Sequence, residues 1–159
     1  MPTINKQRGF TSIELVVVIV IILGLALTGF LALNSQRSKA RDSKRISDVR
    51  QIRTALEFYN SDAGEYPVLS ETVQLGQTAT FKLCSKAEGG FVSADKPCAT
   101  ETTYMSEIPT DPLPGSYYSY TGSISGYDLS FSTENVSSLG TAGSYHAHSD
   151  SIDKNQGNK

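Results

Sequence analysis

A chain of 159 residues, 38% hydrophobic with much of that content before residue 34, fits one small globular unit plus an extension and excludes a large self-sufficient core. The net charge of −2 is unevenly spread: residues 37–53 carry seven basic against two acidic side chains, a net +5, whereas residues 60–159 carry five lysines against twelve carboxylates, a net −7. The acidic head argues against nucleic acid as a partner, because phosphate binding needs clustered, accessible Lys and Arg.

Residues 1–9 are polar, with Lys6 and Arg8, and read as a leader outside the fold. An ordinary secretory signal is disfavoured, because Gly24, Ala26 and Ala32 make poor cleavage sites in what continues as helix. Arg8-Gly9-Phe10-Thr11-Ser12-Ile13-Glu14-Leu15 then opens the apolar run Val16-Val17-Val18-Ile19-Val20-Ile21-Ile22-Leu23. A lone carboxylate in such a run costs about 3 kcal/mol on insertion scales, and it needs a partner or a function. The stretch resembles the class III signal of type IV pilins and type II secretion pseudopilins. The resemblance implies that a prepilin peptidase cuts between Gly9 and Phe10 and that Phe10 becomes an N-methylated terminus. It also implies that Glu14 pairs with the terminal amine of Phe10 on a neighbouring subunit. A helix start is partly positive and a free amine adds a full charge. Satisfying amine and carboxylate only at one stagger turns an unpaired penalty into a register signal. Thr11 and Ser12 can donate hydrogen bonds there without adding charge.

From Leu15 to Leu33 only Gly24, Thr28 and Gly29 break the large apolar pattern, and at about 1.5 Å per residue this run matches a bilayer core of about 30 Å. Ile46, Val49, Ile52, Leu56 and Tyr59 recur at steps of three and four, which predicts that the helix continues in amphipathic form. Asn60-Ser61-Asp62-Ala63-Gly64 supplies the stop, with Gly64 as C-cap. One helix from Phe10 to Ala63 would run for about 80 Å. Two basic residues precede the span and five lie in residues 37–45, a distribution that favours a cytoplasmic head. The family's leader implies the opposite, with the head outside, and is taken to decide. Many members carry a proline in the membrane half; here none lies between Phe10 and Gly64, leaving Gly24 and Gly29 as weak points or close-packing points. The basic stretch either complements the acidic heads of neighbours or is a solvated face with internal pairs such as Lys44 with Asp48.

Beyond Glu65-Tyr66-Pro67 the chain is loop-rich as far as Thr103. Cys84 and Cys98, this close and in a segment placed outside the cytoplasmic membrane, read as one disulfide worth about 3 kcal/mol, with unrelated free thiols as the alternative. Neither has the spacing of a redox or zinc motif. Proline-dense Tyr104–Pro112 is followed by Tyr117–Thr121 and Tyr127–Ser132, whose alternation predicts an antiparallel hairpin with one buried face. From Val136 the sparse apolar content predicts a mobile tail. Arg41-Asp42-Ser43-Lys44-Arg45, Gly64-Glu65-Tyr66-Pro67 and Ile108-Pro109-Thr110-Asp111-Pro112 extend the resemblance into the head. Asp111, Asp128 and Glu134 are candidate calcium ligands, but the Asp-rich run of secretion pseudopilins is absent, which tilts the reading towards a pilus subunit. His146 and His148 lack a third ligand, and Asn135-Val136-Ser137 is a formal glycosylation acceptor. No metal, cofactor or catalytic constellation is predicted.

The expectation is therefore an α+β protein. A leader (1–9) precedes a long helix that is membrane-spanning over 10–33 and amphipathic over 34–63, packed on a small antiparallel sheet in a head (64–135) with a tail (136–159). Its function would be that of a structural subunit of a type IV pilus-like filament. It would be stored in the cytoplasmic membrane, head outside, and assembled as a helical homo-oligomer with identical or related subunits on an inner-membrane platform. The destination would be an extracellular pilus or an envelope-spanning filament. The alternatives are a type II secretion pseudopilin and, in another class, a single-pass membrane-anchored binding protein.

Overall fold

The computed structural model describes residues 10–99 and 103–154, apart from the side chains of residues 28–33. One α-helix, α1 (Ser12–Ala63), runs for 52 residues, unbroken at Gly24 and Gly29. Among the described residues, two single 3-10 turns, Thr78–Thr80 and Lys86–Glu88, and eight short strands follow: β1 (Val73–Gln74), β2 (Lys82–Cys84), β3 (Phe91–Val92), β4 (Thr103–Met105), β5 (Ser119–Gly122), β6 (Tyr127–Thr133), β7 (Gly143–Ala147) and β8 (Ile152–Asp153). The chain forms two compact units, one ending at Arg37 and one beginning at Ser38.

In the first unit the large apolar side chains of Ile13 to Leu27 are 43% to 74% exposed, so no stripe of this segment is buried within its own chain. Among the described residues no helix is long and apolar enough to cross a membrane. The end of the expected span, residues 28–33, falls where side chains lie outside the described set.

In the second unit Ile46, Val49, Ile52, Leu56 and Tyr59 are buried on one face of α1, as the spacing predicts, and Ala55 is buried with them. Each large aliphatic so buried contributes about 1.5–3 kcal/mol. They share one core with residues of a five-stranded sheet in the order β1-β5-β6-β7-β8 and a three-stranded sheet β3-β2-β4, all antiparallel. The architecture is thus α+β, a helix on antiparallel sheet. The expected hairpin is β5–β6, with Tyr120 opposite Leu129, and it buries Tyr118, Tyr120, Tyr127, Leu129 and Phe131 on one face. Helix α1 stops at the expected place: Gly64 adopts φ 73° and its N–H donates to the Asn60 carbonyl at 2.8 Å. A Cβ at Gly122 would lie 2.2 Å from the Pro67 carbonyl oxygen, so only glycine lets the connection after α1 cross the end of β5.

Within the stretch expected to be a tail, the chain forms two strands. Strand β7 pairs with β6 from Leu129↔Ala147 to Thr133↔Gly143, and β8 extends the sheet at its far edge. Composition misleads here because Gly143-Ser144-Tyr145-His146-Ala147 buries only Tyr145 and Ala147. Two apolar residues at period two suffice when the partner strand is already in place.

Candidate assembly and anchoring residues

Thr11 caps α1. Its Oγ1 accepts from the Glu14 N–H at 3.4 Å, and its carbonyl accepts from the Leu15 N–H at 3.2 Å. The Thr11 hydroxyl thus serves the helix start as an acceptor and keeps its own O–H to donate. Glu14 stands in the first turn, where a carboxylate complements the partly positive helix end. Phe10 is 77% exposed and Glu14 is exposed, and the Glu14 carboxylate forms no ion pair among the described residues. Gly9, the other half of the expected cleavage site, lies outside the described residues.

The ion pairs concentrate instead around Arg45, a fully buried residue of α1. Its Nε and Nη2 donate to Asp111 Oδ2 and Oδ1 at 2.7 and 3.0 Å, and its Nη1 donates to Asp42 Oδ1 at 2.8 Å and Glu134 Oε1 at 2.7 Å. Arg41 Nε donates to Glu134 Oε1 at 2.8 Å. Asp42 in turn accepts from the backbone amides of Glu134 and Asn135 at 2.9 and 2.8 Å and from Asn135 Nδ2 at 2.9 Å. Asp111 Oδ1 also accepts from the Leu113 N–H at 2.7 Å, a turn bond typical of Asp. Charges this deep are tolerable only when paired and hydrogen-bonded in good geometry. One helical turn on, Lys44 Nζ lies 2.9 Å from Asp48, and the buried Tyr118 hydroxyl donates to Asp48 Oδ2 at 3.0 Å.

The electrostatics follow the contacts. The hydrogen bond from Arg41, opposed by partial burial and reinforced by Arg45, holds Glu134 at about 2. Burial alone would raise Asp42, but the Glu134 and Asn135 amides with the Asn135 and Arg45 side chains leave it lowered. Burial first and the Asp48 charge second push the Tyr118 hydroxyl far up, which keeps it a donor.

The three carboxylates weighed as calcium ligands are not brought together. Asp111 and Glu134 converge on the Arg45 guanidinium, while Asp128 lies 2.8 Å from His146 Nδ1. His148 Nδ1 approaches the Tyr127 carbonyl at 3.0 Å, and the two imidazoles stack with centroids 6.4 Å apart. The amide nitrogen of Asn135, the formal glycosylation acceptor, is engaged by Asp42. Cys84 and Cys98 form a disulfide with their Cα atoms 6.0 Å apart. Sequence reasoning missed the Arg45 cluster, although its signal was present: Asp42 and Arg45 continue the buried face of Val49 and Ile52 at the same steps of three and four.

A family model described as type II secretion system (T2SS), protein G, matches residues 32–151, which include all of the strands through β7. The chain belongs to this family. Among protein G relatives, type II secretion system core protein G of Escherichia coli (strain K12) is 38% identical over 74 residues, 46% of this chain and 51% of that protein. The protein of the same name from Klebsiella michiganensis is 32% identical over 113 residues, 71% of this chain and 72% of that protein. That of Vibrio cholerae serotype O1 is 29% identical over 124 residues, 76% and 74% respectively. The chain spans about half the length of the Escherichia coli relative. No solved structure matches. Within the filament superfamily the match falls on the secretion pseudopilin, the alternative reading of the sequence.

Proposed function

We propose that this protein G family member is a structural subunit of a pseudopilus-type filament of a type II secretion system, assembled through its N-terminal helix. The observation that carries this reading is the first unit: a capped helix whose first-turn glutamate has no ion pair among the described residues, and which then exposes apolar side chains on every face. A helix apolar all round belongs in lipid or in the interior of an assembly. Before assembly the run Leu15–Leu33 seats the subunit in the cytoplasmic membrane, and in the filament the same surface packs against neighbouring helices. A prepilin peptidase cuts between Gly9 and Phe10, Phe10 is N-methylated, and Glu14 neutralises the new amine of an adjacent subunit on an inner-membrane platform. The names of the relatives support secretion over a surface pilus. The protein is then a building element without catalytic chemistry of its own.

Glu14→Ala tests the pairing. Losing one partner of a desolvated charge pair costs about 3–5 kcal/mol, so incorporation should fall by more than about a hundredfold while cleavage proceeds. Filaments as abundant as those of the unmutated chain would contradict the pairing role.

A further inference from the structure

Cys84 ends β2, Glu88 closes the 3-10 turn Lys86–Glu88, and Cys98 lies in the connection towards β4. The two sulfurs and a Glu88 carboxylate oxygen lie within 4.8 Å of one another. The carboxylate is held in place by its own neighbours. Glu88 Oε2 accepts from the Ser85 N–H at 3.3 Å and from the Ser85 hydroxyl at 2.9 Å, and Oε1 accepts from the Ala99 N–H at 2.7 Å. Outer contacts of this kind orient metal-binding carboxylates. A Cα separation of 6.0 Å lets the two sulfurs part far enough for a pair of zinc–sulfur bonds of about 2.3 Å without displacing β2. Cys84 is buried while Glu88 and Cys98 are half-buried, so an ion would enter from the side of the connection and keep a water as its fourth ligand.

We propose that, once the disulfide is reduced, Cys84, Glu88 and Cys98 bind one zinc ion, which replaces the S–S bond as the staple of residues 93–99. A dithiol reductant supplies the two electrons and two protons. Its two S–H groups close into a disulfide while the Cys84–Cys98 bond opens to two thiols. The zinc ion then displaces both thiol protons and takes its third protein bond from the Glu88 carboxylate. Two lysines tie the connection to its surroundings: Lys82 Nζ on β2 donates to the Ala94 carbonyl at 2.7 Å, and Lys96 Nζ donates to the Glu88 carbonyl. With the disulfide closed no thiolate is offered, so binding is gated by redox state. The absence of a CxxC motif hides the site, because the third ligand is a glutamate placed by a turn.

The full chain in detergent micelles, reduced with a dithiol and freed of it under anaerobic conditions, is titrated with Co2+ and then with Zn2+. The reduced chain should show thiolate-to-cobalt charge-transfer and tetrahedral d–d bands that saturate at one ion per chain and are bleached by zinc. The oxidised chain should show neither. Glu88→Gln should weaken cobalt affinity by about tenfold or more, and Cys98→Ser, in the exposed connection, should abolish the bands even if the glutamine variant disturbs the turn. Near-UV circular dichroism follows the fold of the head throughout. Equal cobalt affinity in Glu88→Gln, bands in the oxidised chain, no bands in the folded reduced chain, or a reduced head that unfolds and is not restored by zinc would each overturn the site.

Discussion

Arg45 carries more of the head's electrostatics than any other described side chain, because three carboxylates from three separate stretches of chain converge on one guanidinium. Arg45→Met would leave Asp42 and Asp111 buried without their counter-charge, and the expected loss is about 3–5 kcal/mol, read as a lower midpoint in urea unfolding. A loss below about 1 kcal/mol would mean that the cluster is bypassed. The same contacts set the acid response. Glu134 and Asp42 are lowered in the folded state, so their contribution is fully present above the ordinary values of 4.5 and 3.8. It is lost as pH falls, through about 2 for Glu134. The melting temperature should therefore drop between about pH 5 and pH 2, and Glu134→Gln should flatten that slope. An unchanged slope in the variant would remove Glu134 from the account. Half of this site was legible in the sequence. Asp42 and Arg45 occupy phases of the helix that must be buried, but Asp111 and Glu134 lie 66 and 89 residues beyond Arg45. Partners at that separation are chosen by tertiary packing, which leaves no local mark.

At the scale of elements, legibility follows length. Helix α1 announces itself through a long apolar run and an amphipathic stripe, local signals repeated over many turns, and through a single glycine stop. Strands such as β1, β3 and β8, of two residues each, have no period of their own and exist because a neighbour pairs with them. The basic stretch also changes meaning on folding. Of the five cations in residues 37–45 that pointed to a cytoplasmic head, Arg41, Lys44 and Arg45 pair with carboxylates of the second unit. The Lys44–Asp48 pair is the internal one that the sequence suggested. The disulfide ties Cys84 at the end of β2 to a connection whose other residues are mostly exposed. Its reduction in metal-free buffer should lower stability by about 3 kcal/mol. Reduced and oxidised chains that melt at the same temperature would show that the staple contributes nothing.

For the molecule as a whole, the two units differ in where their apolar residues lie: the first exposes an apolar helix segment, and the second buries a packed core. The proposed role in a secretion filament gives that contrast a use, since such a subunit needs one segment that buries against copies of itself and a head that packs its own core. The central claim is that Phe10 becomes the working N-terminus, because only then does Glu14 have an amine to neutralise. Gly9→Ser should block cleavage and hold the chain as an uncut precursor. The most direct test is mass spectrometry of the N-terminal peptide of the protein recovered from cell envelopes. The account predicts a peptide that begins at Phe10 and is one methyl group heavier than its sequence, and that is absent from the Gly9→Ser variant. A mature protein that keeps residues 1–9, or a Gly9→Ser chain still cut at Phe10, would contradict it.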